Sequence, residues 1–238
     1  MDKIEKIEMK SLEVAPDYLQ NHAHKGALSL ELLGPDDIQR SFVKLCQKEI
    51  STRPGIKPGY FYNSVTLENY GPEIDIIIID QSKTWIKFSK ELELVGTSMD
   101  GLYWNDGSQL GVDQVSGLPE SLTCLSYHYF IILKNKMEAI PLIFTTRNTA
   151  NQAGKALNSM LKRFVFQNNE PIFGRSYKAT SVVTVGKNNE YHLLKVNLNP
   201  GFLSSSEVDF AAKVYDMVNR LDKKELIKEP TGLEVEVE

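Results

Sequence analysis

The run EIDIIIID, from Glu73 to Asp80, constrains the fold more than any other stretch of the chain. Its centre, Ile76 to Ile79, is an uninterrupted apolar block with the length of a strand. β-Branched side chains are stiff and suit a pleated sheet. Four in succession leave no polar face at the centre, so this strand is expected to be buried there. Glu73 and Asp75 share one face, opposite Ile74, Ile76 and Ile78. The block is also far shorter than the run of about 18 apolar residues that marks a membrane helix.

Strand-like segments surround it. Tyr60 to Thr66 precedes it, and Thr84 to Lys90 follows, alternating Trp85, Lys87 and Ser89 against Thr84, Ile86, Phe88 and Lys90. Ser121 to Lys134 reads as a long strand, and a turn at Lys134-Asn135-Lys136 returns the chain through Met137 to Thr145. Pro141 assigns that returning strand to an edge or a bulge. Ile172 to Val185 and Tyr191 to Leu198 form a hairpin around Gly186-Lys187-Asn188-Asn189.

Three helices are predicted. Gly34-Pro35-Asp36-Asp37 starts one that runs to about Ile50, with Ile38, Phe42, Leu45 and Cys46 on one face. Asn148 to Phe164 carries Ala150, Ala153, Leu157, Met160, Leu161 and Phe164 as one apolar stripe. Ser204 to Ser206 caps the last, which runs to about Lys224. Strands that follow one another without helices between them favour an antiparallel sheet over a doubly wound parallel one. The expected class is mainly β with attached helices (α+β), on an antiparallel sheet or small barrel. The expected organisation is an N-terminal extension and helix over 1–50, a binding domain over 51–224 and an acidic tail over 225–238.

Charge is unevenly spread. The net charge is −4, yet Lys134 to Lys195 holds ten Lys/Arg against Glu138, Glu170 and Glu190, a local +7 that leaves −11 elsewhere. A basic segment in an acidic protein points to a local anionic partner. The charged N-terminus MDKIEKIEMK lacks the apolar core of a signal peptide, and the two cysteines, Cys46 and Cys124, are too few for a disulfide framework. The expected location is cytoplasmic, with no membrane partner.

Catalytic motifs are scarce. There is no phosphate-binding loop, no dinucleotide fingerprint and no HExxH helix. Cys124 and His128 would need metal ligands from elsewhere, as would His22 and His24. Glu73, Asp75 and Asp80, with Lys83, are the candidates for a metal-dependent nuclease. The chain is expected to be no enzyme and to carry no cofactor.

Binding features are better represented. Single-stranded nucleic acid is held by cations for its phosphates and aromatic faces for its bases. Arg53 and Lys57 lead into Tyr60, Phe61, Tyr62 and Tyr70. The next strands supply Lys83, Trp85 and Lys87, and the basic segment adds Lys155, Arg175, Tyr177 and Lys178. Alternation places Tyr60 and Tyr62 on one side of their strand and Phe61 on the other.

Several motifs occur in order: Gly59-Tyr60-Phe61-Tyr62-Asn63-Ser64-Val65-Thr66 with Tyr70-Gly71, the isoleucine strand, Thr84 to Phe88, and Ser98-Met99-Asp100-Gly101. Tyr127-His128-Tyr129-Phe130, Ala153 to Leu161 (AGKALNSML) and Phe173-Gly174-Arg175-Ser176-Tyr177-Lys178 follow. From about Ser51 to Tyr215 this series resembles a family of phage and prophage single-stranded DNA-binding replication proteins. The resemblance implies an OB-like antiparallel β-barrel, sequence-independent binding of single-stranded DNA, and a role in phage DNA replication or recombination in the host cytoplasm. It also implies that the tail ending LEVEVE recruits replication proteins. Relatives often carry several cysteines between the D-G segment and the Y-x-F strand. Leu102 to Thr123 has none, so no structural zinc is expected, and Tyr103 and Trp104 are candidates for exposure there. A protein-interaction module of a replication complex is the alternative, and self-association is left open.

Overall fold

The fold turns on β4 (Glu73–Phe88), one unbroken strand where two were expected. The computed structural model describes residues 41–47, 55–89, 94–111, 123–185, 190–220, 223 and 227, all within one compact unit, residues 40–238. Gln81-Ser82-Lys83 holds neither Gly nor Pro, so nothing interrupts the ladder. The first half of β4 pairs with β6 (Thr123–Leu133) and β8 (Ser176–Val185). Its second half keeps β6 but exchanges β8 for β5 (Leu94–Ser98). A register shift between Ile78 and Asp80 marks the change, as bulges do where strands bend.

Both faces of the isoleucine run are buried, as expected. Ile74, Ile76 and Ile78 pack with Tyr129, Ile131, Phe144 and Tyr177, beneath Leu157 and Leu161 of α1 (Asn151–Lys162). Ile77 and Ile79 pack with Phe130, Ile132 and Ile143, beneath Ala211, Val214 and Val218 of α2 (Ser205–Asn219). Each fully buried isoleucine contributes roughly 1.5–3 kcal/mol relative to exposure. α2 starts with a capping box: Glu207 N donates to Ser204 Oγ, and Ser204 N donates to Glu207 Oε2.

The remaining strands are β1 (Phe42–Leu45), β2 (Phe61–Asn63), β3 (Asn69–Gly71), β7 (Leu142–Thr146) and β9 (Glu190–Leu198). The nine strands form one sheet in the order β3-β2-β1-β7-β6-β4-β8-β9, with β5 also on β4. The sheet curls into a half-barrel. Gln47, just past β1, exchanges two hydrogen bonds with the backbone of His192 on β9.

Several expectations are corrected. Phe42 to Leu45 is a strand rather than part of a helix, and it belongs to the sheet rather than to an extension. Phe42 and Val43 are adjacent yet enter opposite core layers, which a strand permits and a helix does not. The Gly34-Pro35-Asp36-Asp37 start lies outside the described residues, as do Gly186 to Asn189 and the tail beyond Ile227. The β1–β7 pair is parallel, so the sheet is mixed rather than antiparallel throughout. Pro141 stands just before β7 and leaves the ladder intact, so β7 is interior, between β1 and β6. The strand at Tyr60 shortens to β2, because Asn63 Oδ1 accepts from Val65 N and Thr66 N and turns the chain. The helix expected over Asn148 to Phe164 is composite: a 3-10 turn, α1, then a π-helical turn, Arg163–Gln167.

Candidate nucleic-acid interface

Beyond Gln81, β4 extends as the middle strand of an arm between β5 and β6. Thr84 and Ile86 are buried on one face. Lys83, Trp85 and Lys87 take the other, as alternation requires, with Lys83 exposed and Trp85 and Lys87 half-buried. The register sets Lys83 opposite Tyr127, Trp85 opposite Leu125 and Lys87 opposite Thr123. Tyr127 packs against α1 at Gly154, where a Cβ would lie 2.9 Å from its ring. Asn151 Nδ2 of α1 donates to Leu125 O at 2.8 Å. The cation–Trp–cation stripe and the N-terminal half of α1 therefore lie on the same side of the sheet. Exposed Lys155 is one residue past Gly154 on that helix.

The connection after β5 fixes the tryptophans. Asp100 Oδ1 accepts from Leu102 N, Tyr103 N and Ser98 Oγ, and these hydrogen bonds hold its carboxyl below the usual range. The turn lays Gly101 on Trp85, and a Cβ there would stand 2.5 Å from the indole nitrogen. Asp106 caps a second turn through Ser108 N and Oγ. Trp104 folds back under Gly96, with the Lys87 ammonium 5.8 Å from its ring centre. Trp104 is therefore buried, against expectation, whereas Tyr103 is 55% exposed.

A family model described as Pam3 phage gp34-like protein matches residues 8–224. The chain belongs to this bacteriophage family. No curated protein and no solved structure matches it. The gp34-like name states no activity.

Most of the ordered sequence motifs have structural roles in this gp34-like chain. Phe61 is 0% exposed and Tyr62 5%. They point to opposite faces, as alternation required. Phe61 meets Phe144 in the core, while Ile56 and Cys46 cover Tyr62. Tyr60 is half-buried. Ser64 Oγ accepts from Phe42 N, and Gly59, at φ +82°, lies against His192. Asn63 Nδ2 donates to the Tyr70 hydroxyl, and burial raises the pKa of that half-buried phenol. Lys136 lies over the Tyr70 ring and pairs with Glu68. Tyr177 is core, its phenol pushed up to about 12 by burial. Arg175 is clamped by Glu170, and Lys178 pairs with Glu73 at 3.0 Å.

Lys57 is exposed on the turn that meets β9, and Arg53 lies outside the described residues. Of the expected binding residues, the structure thus gathers Lys83, Trp85, Lys87 and Lys155 on one side of the sheet. Sequence reasoning missed Phe202, whose signal was the Pro200-Gly201 turn before it.

The nuclease candidates do not converge. Glu73 faces Lys178, Asp75 accepts from Asn199 Nδ2, and Asp80 pairs with Lys223. Asp75 and Asp80 stand about 16 Å apart along the strand at its usual rise. Cys124 and His128 are four strand positions apart, about 13 Å. Among the described residues no group of three or more His, Cys, Asp or Glu could hold a metal ion, and no helix is long and apolar enough to cross a membrane. A cavity of about 330 Å³ near Tyr70 is lined by Glu68, Glu73 and Asp75 against one cation, Lys136, which pairs with Glu68, a poor setting for phosphate.

Proposed function

We propose that the protein binds single-stranded DNA without sequence preference, through the α1 side of the β4–β5–β6 arm. It acts there without catalysis, in phage DNA replication or recombination in the host cytoplasm. The observation that supports this best is the Lys83–Trp85–Lys87 alternation beside α1. Cations flank an indole there, which suits phosphates on either side of a stacked base. One stacked base contributes roughly 1–3 kcal/mol and tolerates any sequence. Each neutralised phosphate adds a salt-dependent gain. On this reading the curled sheet does what an OB-like barrel does, presenting one strand face to a nucleic-acid chain.

The test is a fluorescence-anisotropy titration of labelled oligo-dT over a salt series, with tryptophan emission followed in parallel. Binding that weakens steeply with salt and quenches tryptophan is expected. Absence of binding at low salt would sink the proposal, and magnesium-dependent loss of the oligonucleotide would replace it with a nuclease.

A further inference from the structure

The far end of α1 carries a second aromatic assembly. Arg175 precedes β8, and its Nε and Nη2 donate to Glu170 Oε2 and Oε1 at 2.7 and 2.9 Å. Held by this fork, the guanidinium lies over two rings, its carbon 5.0 Å from the centre of Phe164 and 3.7 Å from that of Phe202. Phe164 belongs to the π-helical turn that ends α1. Phe202 follows Gly201, whose φ of +82° suits glycine, and precedes Leu203, which is buried beside α2. Phe202 itself is 70% exposed. The ring rests on Arg175 and is otherwise largely open to solvent.

Between the arm and this stack runs the outer ridge of α1. Lys155, Ser159, Lys162 and Phe166 recur at helical spacing and are all exposed, with Arg163 beside them. Residues 151–167 contain no Asp or Glu. Among the described residues, Lys155, Lys162 and Arg163 have no ion-pair partner. This contrasts with Lys134, Lys136, Arg175 and Lys178, each of which is matched by an acid. The basic excess of Lys134 to Lys195 thus stays uncompensated along this ridge.

We propose that Phe202, held by Arg175, is a second stacking platform for a base of single-stranded DNA, and that the Lys155–Lys162–Arg163 ridge carries the phosphates between it and the arm. This rests on the reading of the arm as a DNA-binding surface. α1 alone is about 18 Å long. A strand that reaches both ends of it suits the roughly 4–16 nucleotides usual for one binding unit.

The test uses the full chain and an oligo-dT of about sixteen nucleotides carrying 5-iodouracil, with photo-cross-links located by mass spectrometry. Phe202→Leu removes the aromatic face and keeps apolar bulk at an exposed position, so its melting temperature should match that of the parent protein. Cross-links at Phe202, and an affinity about fivefold or more weaker in Phe202→Leu, are expected. Unchanged affinity in Phe202→Leu, with cross-links confined to the arm, would overturn the second platform and leave the arm reading intact. No binding by the parent protein would overturn both. Equal binding of poly-glutamate, lost in the same variant, would assign the site to an acidic polypeptide and overturn it too.

Discussion

Gln47 and His192 hold each other across the curl of the sheet: Gln47 Nε2 donates to His192 O at 2.9 Å, and His192 N donates to Gln47 Oε1 at 3.0 Å. One side-chain amide thereby stands in for a strand partner on the edge of β9. An exposed edge of this kind is otherwise open to other chains. Gln47→Ala should lower stability by about 1–2 kcal/mol, the net worth of two hydrogen bonds. It should also speed amide exchange at His192. Unchanged melting and unchanged exchange would show that the contact does not hold the curl.

Phe61 supports the core rather than a binding surface. Its ring is fully buried, 6.4 Å from that of Phe144. Phe61→Ala should destabilise by about 3–5 kcal/mol, through lost burial and the cavity left behind. Phe61→Leu should still fold and should bind oligo-dT as the parent does. A folded Phe61→Leu with weakened binding would return this ring to the interface.

Much of the fold was legible because its strongest signals are local. Ile76 to Ile79 is β-branched and of strand length, and the four-residue spacing of Ala153, Leu157 and Leu161 marks one face of a helix. β1 was not legible. Phe42 and Leu45 fit a helical face, and only pairing with β2 and β7 decides for a strand. The aromatics were hardest for the same reason. Alternation gave the right faces for Phe61 and Tyr62, but the segment from Gly55 to Gly59 that covers Tyr62 is a tertiary fact. Lys83, Trp85 and Lys87 stay half or fully accessible where β4 runs on beyond its pairing with β8, and the length of that run is set by pairing with β5 and β6 rather than by a local pattern.

His128 makes stability depend on pH. It is 3% exposed, its Nδ1 lies 3.1 Å from Thr145 Oγ1, and its Nε2 is unpartnered. Burial, aided by the Arg147 cation, holds its pKa at about 4 instead of 6.5. The unfolded chain therefore binds a proton near pH 6.5 that the folded protein refuses until about pH 4. This contribution is fully present above pH 6.5 and is lost as pH falls towards 4, on the order of 3 kcal/mol in all. Glu170 and Glu207, whose pKa values are lowered by their hydrogen bonds to Arg175 and Ser204, act in the same direction at more acid pH. The melting temperature should fall between pH 7 and 4.5, and His128→Gln should flatten that slope. Equal slopes in the two proteins would contradict the assignment.

The salt dependence of oligo-dT affinity, compared between the parent chain and Lys83→Ala/Lys155→Ala, tests the central claim most directly. Both lysines are exposed, so the double variant should fold normally. If each meets one phosphate, the slope of log affinity against log salt should become shallower by about 1.4. Tryptophan quenching through Trp85 should persist at saturating oligo-dT. An unchanged slope in a folded double variant, or a parent protein that does not bind at low salt, would contradict a DNA-binding arm.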